Sequence, residues 1–501
     1  MRRREIFEHA AEQASRYLEE VNERPVSVPL TAERVERWRA LLGGALPEAG
    51  VAPNWPVDAL MRCAADGGVV GSTGPRYFHY VVGGAVPAAI ATDWLVSAFD
   101  QFAATAAASP AVTLAEEVAL DWAIDLLGLR RPDRPLSGAW VTGTTEAHFV
   151  ALAAARHALY EARGWDVEMH GMRGAPPVAI LAGGDAHRSL FAAAQYLGFG
   201  RGEIVAVDTD DEGRMLPAAL AARLAEQPAP AIVCAAGGEI NTGSFDPFEQ
   251  IAAIVAQHGS WLHLDLAFGA AAAAAPRLAH LTAGIELADS WATDGHKMLQ
   301  TPYAVGLVLT AHPDAHQAAM TSQAPYTTIS ATVPPGLRNG MDWAPGMARR
   351  GLGVPAWAAL ATLGREGIAD IVTRCHDHAV RLAAALDVDP AIRIANRVVY
   401  NQVLIDVRPA AHPVHDAEQL VRAVLDEIVA DGTCVLGGTR WREKPMLRAS
   451  IANHATTDSD IDLAAEAITR AVHRVHARHG LVPDVVEQME PWRAHAVVVD
   501  R

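Results

Sequence analysis

The stretch "GAWVTGTTEAHFVALAAARHAL", Gly138 to Leu159, changes period in mid-course. A short β-branched and aromatic run stops at a Gly/Thr turn, and an alanine-rich helical run follows. A strand that feeds a helix through so short a turn is the first half of a crossover unit, and the pattern repeats downstream. "VAILAGG" precedes "HRSLFAAAQYLGFG", and "EIVAVD", "AIVCAAG", "WLHLDLA", "DSWATDG" and "VGLVL" follow with helical segments between most of them. Strands of four to seven residues separated in this way predict an α/β domain with a mostly parallel seven-stranded sheet covered on both faces.

Outward from that core, the chain divides into three predicted segments. Residues 1–85 read as a helical arm broken by Gly and Pro, residues 86–370 as the large α/β domain, and residues 371–501 as a small α+β C-terminal domain. The last follows a helix through "PAWAALATLGREGIADIVTRC" and has strands in "VVYNQVLIDV" and "MLRASIA". With 41 Lys+Arg against 58 Asp+Glu the net charge is −17, which repels phosphate backbones and anionic lipid, so neither nucleic acid nor membrane is an expected partner. Half of the 501 residues are hydrophobic, enough for large cores. The N-terminus lacks the apolar segment of a signal peptide, and the four cysteines are scattered without metal or disulfide spacing; a cytoplasmic protein is expected. His312 with His316, and Cys375 with His376 and His378, lack the further ligands that a metal site needs.

Parallel sheets bind ligands beyond the carboxyl ends of their strands, so the residues there carry the chemistry. After the first strand, Gly143 and Thr144 open a helix whose N–H groups suit a phosphate. After the second stands His187. "WLHLDLAFG" sets Asp265 in an apolar run, where a carboxylate needs a cation or strong donors, and His263, on the same face two residues earlier, reads as a histidine of the core or of the layer that supports the site residues from behind. "ATDGHK" ends on Lys297, an amine that must be paired or used. A phosphate turn, a ring-sized histidine, a buried carboxylate and a lysine are together the four parts that hold pyridoxal 5′-phosphate.

The strings "VTGTTEAHFVALAAARHAL", "DAHRS", "NTGSFDP", "HLDLAFG" and "ADSWATDGHK" resemble successive motifs of the pyridoxal-phosphate-dependent group II amino acid decarboxylases, which act on aromatic amino acids, glutamate and related substrates. The likeness runs from "GPRYF" at 74–78 to "WREKPMLRASIANHATTD" at 441–458. It implies the fold type I architecture of such enzymes, with Lys297 binding the cofactor aldehyde, Asp265 on the pyridine nitrogen, and Ala267 and His187 on either side of the ring. It also implies Gly143, Thr144 and His296 around the phosphate, Asp294 close by, and Thr242 near the cofactor hydroxyl. His79, Tyr80 and Val81 resemble a stretch lining the substrate side-chain pocket, and Tyr326 of "SQAPYTTIS" resembles a loop tyrosine that returns a proton to Cα. Departures from the pattern are Thr144 for a glycine and His148 for an asparagine. The expected activity is decarboxylation of an L-amino acid, aromatic favoured, to amine and CO2, by a homodimer with its active site at the subunit interface. The alternatives are a decarboxylating aldehyde synthase or another lyase or transaminase-like activity, and an inactive binding homolog.

Overall fold

The computed structural model describes residues 2–227, 230–321, 337–407 and 414–478. They fall into two compact units, one within Gly83–His376 and the other within Met1–Val82 and Asp377–Arg501.

The Gly83–His376 unit is built on seven strands: β1 (Ser137–Val141), β2 (Ile180–Gly183), β3 (Ile204–Val207), β4 (Ile232–Ala236), β5 (Trp261–Asp265), β6 (Ser290–Asp294) and β7 (Gly306–Thr310). Each corresponds to one of the apolar runs read from the sequence. Their order in the sheet is β1-β7-β6-β5-β4-β2-β3. Neighbours from β6 to β3 are parallel, and β7 alone runs antiparallel, paired with both β1 and β6. Every residue of β1, β6 and β7 is buried, as expected of strands covered on both faces.

The helix Thr144–Glu161 lies against this sheet. Ala147, Ala151, Ala153, Ala154 and Ala155 are at most 1% exposed, and their small side chains let the helix backbone approach the strands closely. A buried ion pair, Arg349 to Glu116 at 3.1 Å, is completed by the Gly353 N–H donating to the same carboxylate at 2.8 Å. The helix expected through "PAWAALATLGREGIADIVTRC" is broken: within Val354–Leu386, Gly364 adopts φ +61°, ψ −175°. Only glycine takes such a conformation readily, and the helical period on either side conceals it.

In the other unit, β8 (Arg393–Ile394), β9 (Gln402–Asp406), β10 (Gly437–Trp441) and β11 (Lys444–Ser450) form an antiparallel sheet in the order β10-β11-β9-β8. Strands β8 and β10 carry no strand signal in the sequence. β8 is two residues long, and β10 opens with two glycines. The helix Asp458–Arg478 belongs here, with an apolar stripe from Ile461 to Val475. The N-terminal segment is tied to the segment before β10 and to that helix: Tyr77 bridges Val435, Phe78 N–H donates to the Val435 carbonyl at 2.9 Å, and Arg76 pairs with Asp460 at 2.8 Å. All four cysteines are buried thiols. No described helix is long and apolar enough to cross a membrane.

Candidate active site

The turns that leave β1, β2, β4, β5 and β6 converge on a cavity of about 290 Å3 in the Gly83–His376 unit. Its position beyond the carboxyl ends of parallel strands is the one this sheet architecture reserves for ligands. Gly143, Thr144, His187, Asp265, Ala267, Asp294, His296 and Lys297 all line it. Eight residues singled out from separate motifs are thus brought to one place.

Lys297 follows β6 in the connection to β7. Its Nζ is 2.8 Å from Asp294 Oδ2 and 5.8 Å from the Phe268 ring centroid. The partner that a half-enclosed lysine requires is therefore Asp294, the last residue of β6. Burial works to raise the Asp294 pKa, but the charges of Lys297 and His296 outweigh it and hold the group below its usual range. Its other oxygen accepts the Thr144 N–H at 2.7 Å, joining the lysine turn to the helix N-terminus. The backbone around Lys297 is tightly enclosed as well: a Cβ on Gly83 would stand 1.9 Å from the Lys297 carbonyl oxygen.

Gly143 caps the helix Thr144–Glu161, and a Cβ there would lie 3.4 Å from both Asp294 Oδ1 and His296 Cε1. The first intrahelical bond is Ala147 N–H to the Gly143 carbonyl. The N–H groups of Thr145 and Glu146 are left at the open, electropositive end of the helix. Thr144 Oγ1 is buried and has no hydrogen-bond partner among the described residues. Together these are unsatisfied donors facing a cavity. His296 is fixed by donating from Nδ1 to the Val305 carbonyl at 2.7 Å and by stacking on Tyr303.

Asp265 ends β5. Its Oδ1 accepts the Ala267 N–H at 3.1 Å, and its Oδ2 lies 3.2 Å from His148 Nε2. Burial would raise the Asp265 pKa, but His148, His187 and Lys297 more than reverse that and hold it well below the ordinary carboxylate range. It is an anion at neutral pH. His187 caps the helix Arg188–Tyr196, where its Nδ1 accepts from the Ser189 N–H, so its proton belongs on Nε2. Its ring is exposed to the cavity, yet the surrounding protein desolvates it enough to lower its pKa.

Thr242 does not line the cavity. It is fully buried, and its hydroxyl donates to the Glu212 carbonyl at 2.6 Å while its N–H donates to Glu239 at 2.7 Å. The residues of this turn that reach the cavity wall are Gly238, Glu239 and Ile240, and the Glu239 carboxylate also accepts from the Asn241 N–H and side-chain amide. The place of Glu239 in the turn that leaves β4, three residues beyond the strand, is the available signal. His79, Tyr80 and Val81 belong to the other unit, where the His79 ring stacks on Tyr80 with centroids 3.8 Å apart. Burial, aided by the Arg448 charge, lowers the His79 pKa to about 4. Tyr326 lies outside the described residues. Among the described residues no group of three or more His, Cys, Asp or Glu side chains is arranged to hold a metal. His316 is committed to Ser137 and the Trp343 carbonyl, and His312 to Asp289.

A family model described as the pyridoxal-dependent decarboxylase conserved domain matches residues 60–407. Acidic amino acid decarboxylase GADL1 of Bos taurus is 31% identical over 229 residues, 45% of this chain and 42% of that protein. The aligned region therefore spans less than half the length of that relative. Tryptophan decarboxylase 1 of Oryza sativa subsp. japonica is 29% identical over 327 residues, 62% of this chain and 63% of that protein. Among solved structures, Oryza sativa TDC with PLP and tryptamine superposes with a TM-score of 0.85 at 23% identity, covering 94% of this chain and 97% of that one, and so shares the fold. With its seven-stranded sheet, and with the family pattern matched over most of its length, the chain belongs to the pyridoxal-dependent decarboxylase family.

Proposed function

We propose that this protein decarboxylates an L-amino acid, aromatic favoured, to the amine and CO2, using pyridoxal 5′-phosphate held by the cavity residues. The observation that carries the reading is the convergence of Lys297, the Asp265 anion and the open helix N-terminus at Thr144 on one cavity. The donor set fits the cofactor. The partnerless Thr144 hydroxyl and the N–H groups of Thr145 and Glu146 suit its phosphate, Lys297 its aldehyde and Asp265 its ring nitrogen, while Ala267 and His187 are of a size to flank the ring.

When bound, the cofactor supplies the electron sink for the pair left at Cα. The protein's share is position and charge. Lys297 anchors the aldehyde carbon, and Asp265 keeps a proton at the ring nitrogen, which deepens the sink. The cavity orients the Cα–carboxylate bond so that this bond breaks and CO2 departs. The proton that replaces it at Cα is assigned to the Tyr326 hydroxyl on the strength of the sequence resemblance. An aromatic side chain is favoured for two reasons. Among the described residues, the cavity lining carries Glu146, Asp185, Glu239, Asp246, Asp265 and Asp294 against one lysine and no arginine, which offers little to a second substrate carboxylate. The tryptophan decarboxylase alignment also covers more of this chain than the GADL1 alignment does.

A homodimer completes the proposal. The helix Arg3–Glu20 buries none of its residues and leaves Phe7 62% exposed, which supports its being covered by a second copy. The buried thiols suit a reducing, cytoplasmic setting. The test is incubation of the purified protein with a panel of L-amino acids, with CO2, amine, aldehyde and O2 followed together. Amine and CO2 in equal amounts from an aromatic substrate are expected. Aldehyde formed with O2 uptake would instead identify an aldehyde synthase, and no turnover of any substrate would leave a binding homolog.

A further inference from the structure

Four buried side chains form a line that ends at Asp265. Trp261 and His263 share a face of β5 with Asp265, by the two-residue period of a strand. His263 pairs in register with Ser290 of β6, and His148 enters from the helix Thr144–Glu161. Trp261 Nε1 is 2.9 Å from Ser290 Oγ, Ser290 Oγ is 2.9 Å from His263 Nδ1, and His263 Nε2 is 2.8 Å from His148 Nδ1. His148 Nε2 then lies 3.2 Å from Asp265 Oδ2, within ion-pair reach but bent away from a fully formed hydrogen bond. His148, His263 and Ser290 are 0% exposed and Trp261 is 3% exposed, so all four are shut off from bulk solvent.

Donor accounting gives the chain a direction. The indole N–H only donates, so Ser290 Oγ accepts it. Ser290 Oγ keeps one hydrogen and a second lone pair, so its contact with His263 Nδ1 does not set the direction by itself; the Asp265 end sets it, because an anion there takes an N–H, and the Ser290 hydroxyl then donates to His263 Nδ1. A neutral imidazole has one donor and one acceptor, so His263 donates from Nε2 to His148 Nδ1, and His148 carries its hydrogen on Nε2, facing Asp265. The reverse order in a neutral pair would aim a bare nitrogen lone pair at a carboxylate. Burial, seconded by the neighbouring His148, lowers the His263 pKa to about 3, in keeping with a neutral ring.

We propose that His148 is a positioning residue that acts through Asp265: the Trp261–Ser290–His263 chain fixes it in the Nε2–H form, and that N–H holds Asp265 ionised and aimed at the ring nitrogen of the cofactor. The inference rests on the assignment of Asp265 to that nitrogen. The other titratable groups that act on Asp265 are His187 and Lys297 at the cavity, with Cys234 on β4 as a further neighbour. Without the His148 N–H, the carboxylate becomes the stronger base and the proton shared with the ring nitrogen moves toward Asp265. Nothing else is transferred. A less positive ring draws less electron density from the lysine-bound nitrogen, which then titrates at higher pH.

Two measurements test this, the first without cofactor. Long-range proton–nitrogen imidazole spectra of the histidine-labelled apoenzyme, assigned by the signals lost in His148→Asn and His263→Asn, should show both rings protonated on Nε2 and bare on Nδ1. A proton on His148 Nδ1 overturns the relay. In the second, the pH midpoint of the visible absorbance of the cofactor-loaded protein should rise by about one unit, tenfold in the proton equilibrium, in His148→Phe. His148→Asn, which retains an N–H donor, should return most of the way to wild type. If Asp265→Asn moves the midpoint and His148→Phe does not, the relay is wrong and the Asp265 assignment stands. If Asp265→Asn moves nothing, the assignment itself has failed.

Discussion

Replacing Asp265 by Asn removes one charge at nearly constant volume, and the structure sets what that costs. The carboxylate accepts the Ala267 N–H through Oδ1 and faces the His148 ring nitrogen through Oδ2. An amide has one acceptor and one donor end, so either orientation turns an NH2 toward one of these donors. One mismatched buried polar contact costs roughly 1–3 kcal/mol, so the fold should survive with a lowered melting temperature. Turnover should suffer more. Without the anion, the proton on the cofactor ring loses its counter-charge, and loss of one preorganised electrostatic partner costs on the order of 10²–10³ in kcat, about 2.7–4 kcal/mol. The assay is CO2 release from the best panel substrate, with cofactor content and melting temperature measured on the same preparations. A variant that binds cofactor, melts within a degree of wild type and turns over at the wild-type rate would refute the role given to Asp265.

Gly306→Ala should weaken cofactor binding, as read by equilibrium titration of apoenzyme, because the new Cβ would stand 2.5 Å from Gly143 Cα behind the phosphate-facing turn; unchanged affinity would contradict that placement. The apoenzyme should lose stability as pH falls from about 6.5 toward 4: burial lowers the folded pKa of His263 to about 3 and of His316 to about 4, so the unfolded chain takes up those protons first. Thermal melts across that range that stay level would count against neutral buried rings. Tyr326→Phe should divert product from amine to aldehyde with O2 uptake, and a variant that makes only amine at the wild-type rate would remove Tyr326 as the proton donor. Light-scattering mass in solution should give twice the chain mass; a fully active monomer would exclude the dimer.

The strands of the large sheet were legible because each is an apolar run bounded by turn residues, and their carboxyl ends point to the ligand site on topology alone. Lys297 and Asp265 stood out because a charge inside or beside such a run needs a partner. The identity of the partner did not: that Asp294 pairs with Lys297 follows from the fold of the β6–β7 connection. His148 and His263 were visible singly, yet their 2.8 Å contact requires a helix to bring one against the strand that carries the other. The family resemblance implies Thr242 as a ligand contact, but the hydroxyl is taken up by a backbone carbonyl from another loop. Gly364 lies within an unbroken apolar period, and nothing in its neighbours announces the positive φ.

The most direct test of the central claim is borohydride reduction of the purified, cofactor-loaded protein followed by peptide mapping. The claim requires a yellow protein whose visible band is lost on reduction and a phosphopyridoxyl group on the peptide containing Lys297. Label on a different lysine, or a protein that takes up no cofactor at saturating pyridoxal 5′-phosphate, would contradict it.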